Sequence, residues 1–209
     1  MGKDQVAGST IDLLNKCPDS EHRFEGEHKM ILEKTKTALE ALFPEAEPVE
    51  PKADIVADTP EKAVEEAARE KEMGPRKNGV ITRDYRVHGY HLDAQVDPDQ
   101  LVEAVGIIDS LDFFIESITG VDWIKENQLE IIYDFSRYDF DLCRVVIRTR
   151  IPRENPVVPT ITSIYAGANW HERETHDFFG IKFDGHPHLI PLLLPEDADF
   201  HPLLKDFKA

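Results

Sequence analysis

The sequence predicts an α+β fold: a largely antiparallel sheet with packed helices, a partly helical, partly flexible N-terminal extension, and an extended C-terminal tail. Three observations lead there. From Val80 onward, apolar residues alternate in short segments of strand length. Segments with helical spacing interrupt them. Prolines and acids then gather in two places, before residue 80 and after residue 186, where regular structure is not expected.

The extension comes first. Ile31, Leu32, Thr35, Ala38, Leu39 and Leu42 recur at helical spacing within Met30–Phe43, so residues 1–43 form a helical extension. Residues 44–60 carry four prolines among many acids and read as linker. Residues 61–73 are rich in Ala, Glu and Lys with little apolar surface. They read as a solvated or partner-bound helix, or a partly disordered one, and 44–79 forms one acidic connecting unit. That unit is expected to contribute little to the core of 80–209.

Tyr85 and Val87 alternate, and Tyr90, Leu92, Ala94 and Val96 alternate in the opposite phase, so Gly89 marks a bulge or tight turn. Asp97-Pro98-Asp99-Gln100 has the composition of a helix start, and Leu101, Val102, Val105 and Ile108 supply its buried stripe. Phe113–Thr119, Leu129–Ser136 and Phe140–Ile151 read as strands, the last with Arg148 and Arg150 on one face. Pro152–Pro159 contains three prolines and reads as irregular. A ten-residue helix over 170–179 follows, closed by Gly180, and the docking tail occupies 186–209.

Composition excludes several functions. The formal net charge is −17, which disfavours a nucleic-acid partner because phosphate binding needs a positive surface. No apolar run reaches the roughly 18–20 residues of a membrane span, and the N-terminus lacks an apolar signal core, so a cytoplasmic setting is the simplest expectation. Cys17 and Cys143 fit neither a disulfide framework nor a four-thiolate iron–sulfur cluster. No glycine-rich phosphate loop occurs.

The segment 165–186, YAGANWHERETHDFFGIKFDGH, concentrates the chemistry. His171 and His176 are five apart, about 140° around a helix, whereas two ligands to one zinc on a helix are four apart. A metal site there needs further ligands, and His186, His188 and His201 are the nearby ones. Asn169 and Glu172 have capping-box spacing, so Glu172 is expected to reach back to the helix start. Arg173 and Asp177 have the spacing of an i,i+4 ion pair. Glu174 shares a face with Trp170 and Phe178, which would bury it in part and make it the carboxylate to suspect of acid–base work. The apolar run LIPLLL (189–194), with Pro191 and Pro195, is too proline-rich for a helix. It either crosses its own domain or lies in a groove on a partner that orders it.

Together these residues resemble the 30 kDa subunit of respiratory complex I (the C subunit of the bacterial NADH:quinone oxidoreductase) and its counterparts in energy-converting membrane-bound hydrogenases. The resemblance runs from about Tyr85 to Phe207. It rests on Ile118-Thr119-Gly120-Val121-Asp122-Trp123, on Val158-Pro159-Thr160-Ile161-Thr162-Ser163-Ile164-Tyr165, and on Gly167-Ala168-Asn169-Trp170. It continues through Glu172-Arg173-Glu174, Asp177-Phe178-Phe179-Gly180-Ile181, Phe183-Asp184-Gly185-His186-Pro187, and His201-Pro202-Leu203 with Lys205-Asp206-Phe207. Two basic positions of the family pattern are replaced here by Ile190 and Leu204, and the LLLPED run at 192–197 is closer to the hydrogenase branch. Residues 1–79 have no placed counterpart.

The resemblance implies a non-catalytic structural subunit of the peripheral arm, binding no cofactor itself and packed on the large, hydrogenase-like (49 kDa-type) subunit and other peripheral-arm subunits. Iron–sulfur clusters and a quinone site or nickel–iron centre would belong to those partners. The complex would place the chain on the cytoplasmic face of the inner membrane, with electron transfer coupled to ion translocation. The implied docking residues are Asn169, Trp170, Glu172, Arg173, Glu174, Asp177, Phe178, Phe179, Gly180, His186 and Pro187, then Leu192, Leu193, Leu194, His201, Pro202, Lys205, Asp206 and Phe207. Two rival readings are a free-standing metal- or carboxylate-dependent enzyme using Glu174 with His171 or His176, and an assembly or regulatory protein that binds the large subunit transiently.

Overall fold

The computed structural model describes residues 18–43, 77–138 and 142–208. In chain order the elements are α1 (Pro18–Glu40), β1 (Gly79–Thr82), α2 (Tyr85–His88), β2 (Leu92–Val96), α3 (Leu101–Ser110), β3 (Phe114–Trp123), β4 (Gln128–Arg137), β5 (Cys143–Pro152), β6 (Val157–Pro159), α4 (Ala168–Phe179) and β7 (Lys182–Asp184). A single 3-10 turn, Ile124–Glu126, joins β3 to β4.

Five strands form one sheet in the order β1-β2-β5-β4-β3. All neighbours are antiparallel except β2 and β5, which are parallel because α3 and the β3–β4 hairpin intervene in sequence. Register sorts the two faces. Leu92 pairs with Val145, Ala94 with Ile147, Ile147 with Tyr133, and Leu129 with Ile151, so one face is a continuous apolar layer. Leu101, Ala104, Val105 and Ile108 of α3 are buried in the same core. The opposite face carries buried charge. Arg148 donates to Asp93 (2.8 Å) and Arg150 to Glu130 (2.9 Å), while Trp123 Nε1 donates to the other Glu130 oxygen (3.2 Å). Each buried acid there has a guanidinium beside it, as low-polarity surroundings require.

Several elements differ from the sequence expectation. Tyr85–His88 is a helical turn rather than a strand. Asp84 accepts from the Arg86 N–H and caps it, and Gly89, at φ 79°, closes it with a left-handed residue. Two alternating residues were too few to separate strand from turn. In α3 the helix proper begins at Leu101, after the turn 98–100. Val102 points to solvent, and Ala104 takes its place in the buried stripe. Pro152–Pro159 is not wholly irregular: Val157–Pro159 forms β6, a parallel partner of β7, with Val158 opposite Phe183. The one proline of β6, Pro159, is tolerated because the strand is short and lies at an edge.

The helical extension does not stand apart from the domain. Ile31 and Leu39 belong to the core, Thr35 is buried, and Gln100 Nε2 donates to the Leu42 carbonyl (3.0 Å). The helix also begins earlier than Met30, at Pro18. The linker read at 44–60 and the solvated helix read at 61–73 lie outside the described residues.

Candidate docking site on α4 and the tail

Helix α4 lies across β3, and small residues set the distance. A Cβ on Gly120 would stand 2.5 Å from the Phe179 ring, so only glycine lets that ring lie on the strand. Thr175 Oγ1 donates back to the His171 carbonyl (2.8 Å) and faces the Ile118 carbonyl at 3.4 Å. Gly180 ends the helix at φ 73°, its N–H on the His176 carbonyl (2.8 Å), and a Cβ there would meet the His201 ring at 2.6 Å. Gly180 is therefore needed twice, for the left-handed turn and for the close approach of the tail.

The charged residues of α4 have other partners than their spacing suggests. The helix begins after Gly167, and Glu172 does not reach back to Asn169. It is buried instead, accepting from Ile161 N–H (2.8 Å) and the Thr160 hydroxyl (2.5 Å). Burial pushes its pKa up to about 7, against those two hydrogen bonds. The buried His186 side chain lies 3.9 Å away, its pKa held below the usual histidine range mainly by burial. Its Nε2 is 3.4 Å from the Asn169 carbonyl.

Arg173 and Asp177 do not pair with each other; both grip the tail. Arg173 donates through Nε to the Ile190 carbonyl and through Nη2 to the Pro191 carbonyl, each at 3.0 Å, and its guanidinium lies 5.3 Å from the Trp170 ring centre. Asp177 Oδ2 accepts from the backbone N–H groups of Leu192 (2.7 Å), Leu193 (2.7 Å) and Leu194 (3.2 Å). Burial alone would raise the Asp177 pKa, but the three amides outweigh it and hold the carboxylate below its usual range. The cation thus holds carbonyls and the anion holds amides of one proline-stiffened segment.

The tail is fastened at two further points. His201 Nδ1 sits 2.8 Å from the Asp177 carbonyl, and Leu203 N–H donates to the Phe178 carbonyl (3.2 Å). Near the end, buried Asp122 accepts from Arg153 Nε (3.1 Å) and from Lys205 N–H (2.8 Å), while Arg153 also bonds Asp206. The tail is therefore fastened along its length to its own domain.

What these clamps leave outside is apolar. Trp170 is 61% exposed, Leu193 62% and Leu203 53%, with Ile190, Phe200 and Phe207 also exposed. Phe200 and Phe207 stack at 5.5 Å. Of the residues assigned to docking by sequence, Trp170, Leu193 and Phe207 present exposed apolar surface, and Leu192 and Leu194 are half-buried. Lys205, Asp206 and Pro187 are exposed but polar or small; His201 and Pro202 are half-buried. Ile190, Phe200 and Leu203 were missed, though their spacing through a proline-broken tail was the available signal. Glu174 is exposed rather than partly buried, because Trp170 on its face turns to solvent. His176 Nδ1 contacts the Ile181 carbonyl (2.8 Å), and among the described residues no hydrogen bond or ion pair joins it to Glu174. No described helix is long and apolar enough to cross a membrane.

Residues 94–209 match the family described as respiratory-chain NADH dehydrogenase, 30 Kd subunit. Among curated relatives, the chain is 38% identical over 120 residues to the C subunit of the NADH-quinone oxidoreductase of Roseiflexus sp. (strain RS-1), covering 55% of this chain and 68% of that one. It is 38% identical over 121 residues to the C subunit of the F(420)H(2) dehydrogenase of Methanosarcina mazei, covering 56% and 76%. A chain in the solved structure of the membrane-bound sulfane sulfur reductase, an archaeal respiratory membrane complex, is similar with a TM-score of 0.54 and 29% identity, over 71% of this chain and 86% of that one. The chain belongs to the family of the 30 kDa subunit of respiratory-chain NADH dehydrogenase.

Proposed function

We propose that the chain is a non-catalytic structural subunit of a complex I-like, membrane-associated oxidoreductase, docked through α4 and the tail on the large hydrogenase-like subunit. The observation that carries this reading is the division of labour on α4. Glu172, Arg173 and Asp177 are used internally, on Thr160, Ile161 and the tail backbone, while Trp170 of the helix and Leu193 and Leu203 of the tail are held outward. Pre-ordering the tail lowers the entropy lost when that surface is buried. Family membership and the respiratory complexes of the relatives support the partner class. The chain supplies shape, and electron-carrying clusters and the quinone or nickel–iron centre reside in partner subunits on the cytoplasmic side.

Full burial of Trp170, Leu193 and Leu203 would contribute about 1.5–3 kcal/mol per side chain, more than exposed ion pairs supply. Trp170→Asp with Leu193→Asp should therefore abolish co-purification with the solubilised membrane complex while the isolated subunit melts as before. Salt at about 0.5–1 M, which shortens screening to about 3–5 Å, should not release the wild-type subunit. Retention of the double variant, or release by salt alone, would defeat this account of the contact.

A further inference from the structure

Away from the docking face, metal-ligating side chains converge from three elements distant in sequence. His28 comes from α1, His91 precedes β2, and Cys143 opens β5. One ligand atom from each lies within 4.8 Å of the other two. Backbone pairing brings the strand residues together: His91 N–H donates to the Arg144 carbonyl (2.9 Å), and Arg144 N–H donates to His91 Nδ1 (3.1 Å). His28 is delivered by the packing of α1, and its ring meets that of His91 edge to face, 4.8 Å between centres. Tyr85 stacks on His91, 4.8 Å between ring centres. Cys143 is fully buried, and both histidines are half-buried.

We propose that His28, His91 and Cys143 bind one divalent ion of the zinc class, which pins the N-terminal helix to the sheet. One thiolate and two imidazoles suit zinc, whereas magnesium and calcium prefer oxygen ligands. Bonds of about 2.3 Å to sulfur and about 2.0–2.1 Å to nitrogen place tetrahedral ligands roughly 3.3–3.7 Å apart. The observed spread, up to 4.8 Å, has to contract by about 1 Å at most to reach that geometry. The neutral His91 ring has one lone pair for a metal, the one that accepts the Arg144 N–H. Loading exchanges that hydrogen bond for a coordinate bond, the ring turning to meet the ion. Cys143 releases its thiol proton to solvent on binding, and water fills the fourth position. His28 and His91 both lie before residue 94, where the family match begins, so the site belongs to this chain's extension and its junction with the sheet.

The test uses the full chain, stripped of metal and titrated with zinc or cobalt(II) alone. One equivalent of zinc should be retained through dialysis, and cobalt(II) should give a near-ultraviolet thiolate-to-metal charge-transfer band. Cys143→Ser should remove that band and Cys17→Ser should keep it. His28→Gln, which keeps a polar side chain at that position of α1, should weaken zinc by more than about tenfold, since a three-ligand site loses one bond. Zinc should slow amide exchange across residues 26–42 in the wild type and not in His28→Gln. The proposal is overturned by failure to retain zinc, by a cobalt band that survives Cys143→Ser or needs Cys17, or by zinc binding indifferent to His28→Gln.

Discussion

Glu172 and Asp177 lie five residues apart on α4, both buried and both bonded to neutral donors, yet they are pushed in opposite directions. Glu172 faces the β6–α4 connection and has one amide and one hydroxyl for a deeply buried carboxyl. Asp177 faces the tail and has three amides converging on a single oxygen. Burial favours the neutral acid in both places, and the number of N–H donors decides which tendency wins. Glu172 is thus suited to hold two parts of the domain together as a neutral acid. Asp177 is a fixed anion around which the tail is wrapped.

The largest expected effect tests the Asp177 side of that contrast. Asp177→Ala removes one acceptor from three amides at once, and hydrogen bonds to a charged group contribute about 1.5–3 kcal/mol each. The tail should lift, with a loss of about 2–4 kcal/mol in denaturant unfolding and rapid amide exchange at Leu192, Leu193 and Leu194. Retained protection of those three amides would mean that Arg173 and the prolines hold the tail without the anion.

Glu172 gives the next effect, and its sign is opposite to that of Asp177. Its folded-state pKa is raised from 4.5 to about 7, so its contribution is full below pH 4.5 and is lost as pH rises to about 7. The lowered Asp177 pKa works the other way: that contribution is present above the ordinary carboxylate range and lost in acid. Glu172→Gln keeps the neutral hydrogen-bonding shape at every pH. Relative to wild type, it should gain up to about 3 kcal/mol between pH 4.5 and pH 7.5, read from melts across that range. Parallel stability curves for the two proteins would show that Glu172 ionises in the fold as easily as in the unfolded chain.

Much of this architecture is legible in the sequence, and the unread parts share a cause. The long strands β3, β4 and β5, the helix α4 with its glycine stop, and the non-helical tail follow from periodicity and punctuation. Arg148 and Arg150 share a face as alternation requires, and register places Asp93 and Glu130 beside them. Partners remote in sequence were not readable. The spacing of Asn169 and Glu172, or of Arg173 and Asp177, describes an isolated helix, whereas each charged group here is claimed by the Ile161 amide and Thr160 hydroxyl or by the tail backbone. A capping box or an i,i+4 pair is worth about a kcal/mol or less. Backbone groups brought close by the fold outcompete it. The packing of Ile31 and Leu39 against the sheet was hidden likewise, by the long acidic connection between them and their neighbours.

The smallest expected effect completes the comparison with a third carboxylate. Glu174 lies between Glu172 and Asp177 in sequence, has the same side chain as Glu172, and belongs to the same Glu-Arg-Glu motif. At about 100° per residue it is turned some 160° away from Glu172, onto the face where Trp170 is exposed. It is exposed and loses little water on folding. Glu174→Gln should change unfolding free energy by less than about 0.5 kcal/mol, read from denaturant melts at neutral pH. A loss above 1 kcal/mol would show that this face of α4 is covered within the subunit itself. A normal melt combined with weaker co-purification would instead place Glu174 at the rim of the docked surface, next to Trp170.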